Sequence, residues 1–302
     1  MLNTRTPFAV ALGCNVVNLL LDPLLIYGLG PVPSFGAGGA AAATAVAEWG
    51  AALTLTWMLS QRGLVALGPK LPELEEVTPL IQSSSAILVR TLALQSVLLL
   101  GTSTALKAPD GEVAVAAHQV CIQLFFLLSF TVDSLAVAAQ ALVADSLGRD
   151  DVPAARSVAN RVLLYGLAGG GILGAILWLA GESLPRMFTD SQEVVSTATT
   201  PLQYVIALQP LNALVFVLDG IFVGASDFGY LALAMVLSAS CASGAMLTIG
   251  ISGGLEGVWQ SLAILQTSRG ITLGGRFWLL KSPLSVSGCG RSKDQNTHHE
   301  QK

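Results

Sequence analysis

Charged side chains are scarce in this sequence. They make up 11% of its 302 residues, whereas an ordinary soluble domain carries about 25%. Hydrophobic residues reach 53%, and the mean hydropathy is +0.67. A chain so poor in charge is not a globular enzyme, and we expect a polytopic membrane protein.

Several signatures of other functions are also missing. No basic cluster indicates nucleic-acid binding. The four cysteines, at positions 14, 121, 241 and 289, lack the paired spacing of a disulfide framework or a zinc site. The sequence offers no nucleophile–base pair and no metal constellation, so we expect neither an enzyme nor a cofactor.

Long apolar segments are abundant, and eight of them can each span a bilayer as a helix. They cover residues 7–27, 37–60, 83–104, 113–146, 160–182, 202–223, 230–250 and 254–274. The first is too long and too polar for a signal peptide, so we interpret it as a retained helix. The sequence therefore predicts an all-α membrane bundle of about eight transmembrane helices.

The basic residues indicate how the spans are oriented. If the spans alternate, one side collects eleven of the fifteen lysines and arginines, the other collects only Lys107 and Arg186, and two lie inside spans. Loops rich in lysine and arginine stay in the cytosol. We therefore expect both termini to be cytosolic.

An internal repeat links the two ends of the chain. GAGGAAAATAV at 36–46 and GLEGVWQSLAI at 254–264 each open a span with Gly-x-x-Gly, 218 residues apart. Spans one and two thus correspond to spans seven and eight, and internal repeats are typical of secondary transporters. If spans three to eight form a complete six-helix unit, about 140 residues of the first unit are missing upstream.

Polar side chains inside the spans are the candidates for a functional site. On the sixth span, Gln209, Asn212 and Asp219 lie at positions that a helix brings to one face. The other candidates are Gln119, Gln123, Asp133 and Gln140 on the fourth span, Asn15, Asn18 and Asp22 on the first, Glu48 on the second and Arg90 on the third. Hydrocarbon does not tolerate such groups, so we expect them to face the bundle interior or a wet cavity.

Several of these candidates also have a purely structural interpretation. Asp219 lies near the end of its span, so it either lines a cavity or lies at the membrane interface. Asp22 either belongs to the polar stripe or ends the helix, because a residue before proline tends to leave the helical region. The amides of the fourth span either line a cavity or bond neighbouring helices. Arg90 either binds an anion or pairs with a buried carboxylate.

Several stretches resemble the multidrug and toxic compound extrusion (MATE) family, in the plant branch of DETOXIFICATION proteins and citrate exporters. QPLNALVFVLDGIFVGASDFGY at 209–230 is similar to the family's tenth helix. NVVNLLLDPLLIYGLG at 15–30 with GAGGAAAATAVAEW at 36–49 resembles the fifth and sixth helices, and AHQVCIQLFFLLSFTVDSLAVAAQALVADSLG at 117–148 resembles the eighth. The resemblance extends over residues 1–280 and implies a two-lobed, twelve-helix antiporter of which this chain holds helices five to twelve.

The resemblance implies three regions, and the composition of the C-terminal end indicates a fourth. Residues 1–62 would be the last two helices of the N-terminal lobe, 63–82 a cytosolic linker and 83–280 a complete six-helix C-terminal lobe. The remaining region, 281–302, is polar and lacks periodicity, so we expect a disordered cytosolic tail.

The resemblance further implies an exporter of small organic solutes, such as citrate, other organic anions or xenobiotics, in exchange for protons or sodium. The expected coupling residues are Asp219, Glu48 and Asp133, and the expected substrate-cavity residues are Asn15, Asn18, Arg90, Gln119, Gln123, Gln209 and Asn212. The expected partners are a small-molecule substrate, the lipid bilayer and the missing N-terminal helices, with the target membrane left open. The alternative is a truncated, transport-inactive paralogue or fragment.

Overall fold

The computed structural model describes residues 5–28, 33–63, 74–108, 110–181 and 183–278. Over these ranges the secondary structure is helical and contains no strand, which confirms the all-α prediction. The chain divides into two compact units, residues 1–73 and residues 74–302, called here the N-terminal unit and the C-terminal unit. The tail 281–302 and most of the expected linker lie outside the described residues.

The N-terminal unit is a pair of packed helices, α1 (Arg5–Tyr27) and α2 (Ala37–Gln61). Gly36 turns the chain with a positive φ of 55°, and the backbone N–H of Phe35 donates to the carbonyl of Leu25 at 2.9 Å. A side chain at Gly39 would collide with the backbone of Leu25, so glycine lets the two helices approach closely. Because α1 continues through Pro23 to Tyr27, the interpretation of Asp22 as a helix end is wrong.

The C-terminal unit contains six long helices and one short one. They are α3 (Leu74–Leu106), α4 (Gly111–Gly148), α5 (Val152–Ala180), the single turn α6 (Ser183–Arg186), α7 (Gln192–Gly224), α8 (Phe228–Ala245) and α9 (Ile251–Trp278). A π-helical turn, Met246–Gly250, joins α8 to α9, and the helical path breaks at Gly254, whose φ is 58°. The eight expected spans thus correspond in order to α1 to α5 and α7 to α9.

Three helices begin eight to ten residues earlier than the apolar pattern predicts. α3 begins nine residues before the expected span at 83, α5 eight before 160 and α7 ten before 202. The Asp151 side chain caps α5 by accepting from the backbone N–H of Ala154 at 2.9 Å, and Ser191 caps α7. Residues 74–82 are therefore helix rather than linker, because polar first turns extend a helix beyond its apolar part.

Among the described residues, six stretches are long and apolar enough to cross a membrane. The last of these, Phe228–Trp278, has 51 residues and is divided by the break at Gly254. α2 is not among the six, because glycine, threonine and Glu48 interrupt its apolar residues.

Helix α7 packs against both α4 and α5 through closely spaced glycines. Gly220 and Gly224, one turn apart on α7, face the backbone of Ala136 and Gln140 on α4. On α5, Gly170 occupies the corresponding position against α7, where an added Cβ would lie 2.8 Å from the carbonyl oxygen of Gln209. Small residues at this spacing let membrane helices approach closely, and they fix the position of the polar face of α7.

This packing gives a stability prediction. Gly220→Ala places a methyl group against the backbone of Ala136, so the helices must separate, at a cost of about 1–3 kcal/mol. We expect a lower apparent melting temperature for the purified protein in detergent. Gly229→Ala is the matched control, because a Cβ at Gly229 meets nothing within 4 Å. Equal melting temperatures for the two variants would show that the close α4–α7 contact does not limit stability.

Candidate functional site

The centre of the candidate site is Asp219 on α7, which is buried with 7% of its surface exposed. Its Oδ2 accepts a hydrogen bond from Nη2 of Arg90 on α3 at 2.7 Å. The same oxygen accepts a second, very short hydrogen bond from Nη2 of Arg269 on α9. We call these three residues the arginine cluster.

The cluster carries a net positive charge inside the C-terminal unit. Two guanidinium groups and one carboxylate sum to 2 − 1 = +1. The side chains of Arg269 and Asp219 are only 5% and 10% exposed, whereas that of Arg90 is 27% exposed. Arg90 is therefore the member of the cluster that a solute reaches most easily.

A chain of amide side chains extends from the cluster into the unit. Nη1 of Arg269 donates to Oε1 of Gln266 at 2.9 Å, and Nε2 of Gln266 donates to Oδ1 of Asn212 at 2.5 Å. Nδ2 of Asn212 then donates to Oγ of Ser129 at 3.1 Å and to Oε1 of Gln209 at 3.2 Å. This amide chain (Ser129, Gln209, Asn212 and Gln266) joins α4, α7 and α9.

Two hydrogen-bond donors beside this network have no acceptor among the described residues. They are Nε of Arg90 and Nε2 of Gln209, and both atoms are buried. A buried donor without a partner costs about 1–3 kcal/mol. The positive charge and both unpaired donors would be satisfied by the same kind of group, a negatively charged hydrogen-bond acceptor.

The structure brings together four of the residues singled out in the sequence. Asp219, Asn212, Gln209 and Arg90 form one network within the C-terminal unit. Asp219 is buried among helices of this unit, and Arg90 pairs with a buried carboxylate, as one of its two interpretations stated.

The polar residues of α4 that were singled out in the sequence lie outside this network. Gln119, Gln123, Asp133 and Gln140 are all exposed on the C-terminal unit rather than buried in it. Whether they line a cavity therefore stays a prediction. The opposite face of α4 carries residues such as Cys121 and packs against α7, which leaves the polar stripe on the outside. Helical periodicity places these four residues on one side of α4, but it does not determine which side of the helix α7 covers.

The N-terminal unit holds the remaining candidates, and it brings two of them, Asn18 and Asp22, into contact. Nδ2 of Asn15 donates to the carbonyl of Ala11 in the same helix at 2.9 Å. In the amide orientation that satisfies both of its ends, Nδ2 of Asn18 donates to Oδ2 of Asp22 at 3.2 Å, and Oδ1 of Asn18 accepts from the backbone N–H of Thr44 on α2 at 3.2 Å. Glu48 is exposed on α2.

Sequence reasoning missed Arg269, Gln266 and Ser129. Arg269 was recognised only as a charge inside a span. The sequence feature that could have identified Arg269 is its spacing from Gln266, three residues earlier, because this spacing places both polar side chains on one face of α9.

Comparison with known proteins assigns the sequence to a family. The family model MatE matches residues 86–247, more than half of the chain. The chain belongs to the MatE family. Among MatE relatives, the chain is 37% identical to Protein DETOXIFICATION 44, chloroplastic, of Arabidopsis thaliana, over 88% of this chain and 50% of the relative. It is 31% identical to Protein DETOXIFICATION 45, chloroplastic, of the same plant, over 93% of this chain and 49% of the relative.

Solved MatE-type structures share the fold. A MATE protein crystallised in its straight conformation matches with a TM-score of 0.76 and 19% identity, over 90% of this chain and 62% of the other. A MOP superfamily transporter from Pyrococcus furiosus matches with a TM-score of 0.75 and 19% identity, over 91% and 63%. The chain thus spans about half the length of the curated plant relatives that it matches.

Proposed function

We propose that the complete protein is a secondary active transporter that exports small organic solutes in exchange for protons or sodium, and that organic anions such as citrate or anionic xenobiotics are among its substrates. The observation that carries the choice of anions is the net charge of +1 on the buried arginine cluster. Membership of the MatE family supports the transport class, and the cluster supports the sign of the substrate's charge.

The physical argument for an anion is electrostatic. An anion 4 Å from a unit positive charge is stabilised by roughly 4 kcal/mol at an effective dielectric constant of 20. A cation approaching Asp219 would instead meet two guanidinium groups that already occupy the carboxylate. Arginine also presents a planar set of donors that matches a carboxylate, so Arg90 can exchange Asp219 for a carboxylate of the substrate.

Ion pairing distinguishes Asp219 from the other two carboxylates expected to couple transport to a cation, Glu48 and Asp133. Asp219 is occupied by two ion pairs. Glu48 and Asp133 are exposed within their units, and neither forms an ion pair with a described residue. We therefore assign the proton or sodium to Glu48 and Asp133 first, and we give Asp219 the role of holding the two guanidinium groups in place.

The experiment that tests this proposal compares substrates of opposite charge. Full-length protein is reconstituted in liposomes with an imposed pH or sodium gradient, and the fluxes of labelled citrate and of a cationic dye are measured side by side. We expect gradient-dependent citrate flux well above that of protein-free liposomes. Dye flux without citrate flux would overturn the assignment of an anionic substrate.

We propose that both termini lie on the cytosolic side of the membrane. If the membrane belongs to a plastid, the corresponding side is the stroma; the names of the relatives DETOXIFICATION 44 and 45 describe those proteins as chloroplastic. Two basic residues that the topology assigns to the cytosolic side lie at one end of the C-terminal unit, which supports it. Nη1 of Arg156 donates to the carbonyl of Phe277 at 2.8 Å. The neighbouring Arg276 pairs with Asp227 at 3.1 Å.

This topology predicts which engineered glycosylation acceptors are modified. In a protein inserted into endoplasmic reticulum membranes, we expect an acceptor between α6 and α7 at residues 187–191 to be glycosylated and an acceptor after residue 280 to remain unmodified. Glycosylation of the second acceptor would reverse the orientation.

A further inference from the structure

A pocket opens on one side of the C-terminal unit, where α3 and α4 lie next to each other. Its volume is about 420 Å³, and small-molecule sites in proteins have volumes of roughly 300–1,000 Å³. Apolar side chains form most of its wall, with Leu98 and Leu99 on α3 and Ile122 and Phe126 on α4. The pocket is thus large enough for a small organic molecule with an apolar body.

The rest of the wall is polar but carries no carboxylate, ammonium or guanidinium group. Gln95 and Thr102 lie seven residues apart on α3, so helical periodicity places them on the same side of the helix. Oγ1 of Thr102 donates to the carbonyl of Leu98 at 3.1 Å, and its oxygen can still accept a hydrogen bond. The third polar residue of the wall is His118 on α4, which is only 1% exposed.

The imidazole of His118 lacks the hydrogen bond that would fix its tautomer. Nδ1 is buried without a partner among the described residues, and Nε2 faces Gly101 on α3, where an added Cβ would lie 4.0 Å from it. The ring packs edge-on against Trp259 at 5.7 Å and forms no ion pair with a described residue, so we treat it as neutral, because an unpaired buried charge is costly. Since the partner of one ring nitrogen sets the tautomer, Nε2 can either donate or accept.

We propose that this pocket binds a small neutral molecule with an apolar body and a hydroxyl group. The hydroxyl forms a hydrogen bond with Nε2 of His118, and Gln95 and Thr102 offer further partners along α3. The body lies against Leu99 and Phe126. No member of the arginine cluster lines this pocket, so the proposal goes beyond the anion transport proposed above and does not depend on it.

Two physical terms favour a neutral hydroxyl compound over a charged or a purely apolar one. A carboxylate or an ammonium group would lose its hydration against this wall and would meet no opposite charge there. A hydrocarbon would leave the imidazole of His118 without a partner, and an unpaired buried polar group is costly. A hydroxyl group both donates and accepts, so it can bond the imidazole in either tautomer.

The test measures saturable binding of tritiated 3-phenyl-1-propanol to full-length protein in lipid nanodiscs, with protein-free nanodiscs to subtract the probe dissolved in lipid. The competitors are butylbenzene, in which a methyl group replaces the hydroxyl, and the charged analogue 3-phenylpropionate. We expect each to compete at least fivefold more weakly than the unlabelled alcohol, when concentrations in the nanodisc are compared.

Two substitutions test the location of the site. Leu99→Trp fills the pocket from α3, and His118→Phe keeps an aromatic ring but removes both nitrogens, so each should weaken binding of the alcohol at least fivefold. Leu92→Trp is the matched control, because Leu92 lies two turns earlier on the same side of α3, is 57% exposed and is not part of the pocket wall. This control should bind the alcohol like the unmodified protein.

Each other outcome overturns the proposal in a defined way. Equal competition by butylbenzene would identify an apolar groove that holds a lipid chain, and equal competition by 3-phenylpropionate would refute the neutral ligand. Unchanged binding in Leu99→Trp would place the alcohol elsewhere, and unchanged binding in a folded His118→Phe would refute His118 as its partner. If His118→Phe does not fold, Leu99→Trp and the competitors decide. Failure of citrate transport would refute the anionic substrate and leave this site standing.

Discussion

The 302-residue chain, reconstituted by itself, is expected to show no gradient-dependent flux of citrate or of a cationic dye. Alternating access in repeat-built carriers moves one bundle against another around a site between them. Over the residues that the structure describes, the C-terminal unit holds six long helices and the N-terminal unit two, and the chain spans half the length of the plant relatives that it matches. Flux is measured in liposomes with an imposed pH gradient, beside the same chain extended upstream by about 140 residues, the length that the internal repeat predicts.

Exposed carboxylates are also expected to make the short chain less stable in the membrane. Glu48 and Asp133 are exposed on α2 and α4, and each carboxylate left facing lipid costs about 2.5–3.5 kcal/mol on insertion scales. We therefore expect the short chain to aggregate more readily than the extended one. Equal, gradient-dependent flux from both proteins would refute the need for further helices, and flux from neither would favour the alternative of a transport-inactive paralogue.

Asp219→Ala is expected to produce the largest loss of stability of any single substitution in the arginine cluster. It leaves Arg269, a side chain only 5% exposed, without its counter-charge, and removing one partner of a buried ion pair costs about 3–5 kcal/mol. Arg90→Met should cost less, because Arg269 still neutralises Asp219. The measurement is the apparent melting temperature and the yield of monodisperse full-length protein in detergent.

The control for this prediction removes both charges of the deeper pair. In the double variant Asp219→Leu with Arg269→Met, the two most deeply buried charges are both removed, and Arg90, whose side chain is 27% exposed, is the one charge of the cluster that remains. Replacing a buried ion pair by apolar side chains is often neutral or stabilising, so we expect the double variant to melt well above Asp219→Ala. If Asp219→Ala melts like the unmodified protein, the carboxylate does not hold the two guanidinium groups in place.

The sequence predicted the polar face of α7 because its geometry is local. Gln209 and Asn212 are three residues apart, so helical periodicity alone places them together, and Asp219 follows about two turns later on the same side. The order of the helices follows from apolar length in the same way. These features need no knowledge of the neighbouring helices.

The partners of that face could not be predicted in the same way. Arg269 lies fifty residues from Asp219 and Arg90 lies 129 residues from it, so their pairing depends on how α3, α7 and α9 pack. The α4 stripe illustrates the same limit, because periodicity shows that Gln123 and Asp133 share a side of the helix but does not determine which side α7 covers. The paired state of Asp219, in turn, changed its proposed role from binding a cation to holding two arginines.

The most direct test of the account is citrate flux through the full-length protein with Arg90→Gln, compared with the unmodified protein in matched liposomes. Arg90 is the exposed member of the cluster, and Asp219 keeps its bond to Arg269 in this variant, so the protein should remain folded. The account predicts at least a tenfold loss of citrate flux with equal amounts of reconstituted protein. Undiminished citrate flux in Arg90→Gln would contradict the claim that the buried positive cluster binds the transported anion.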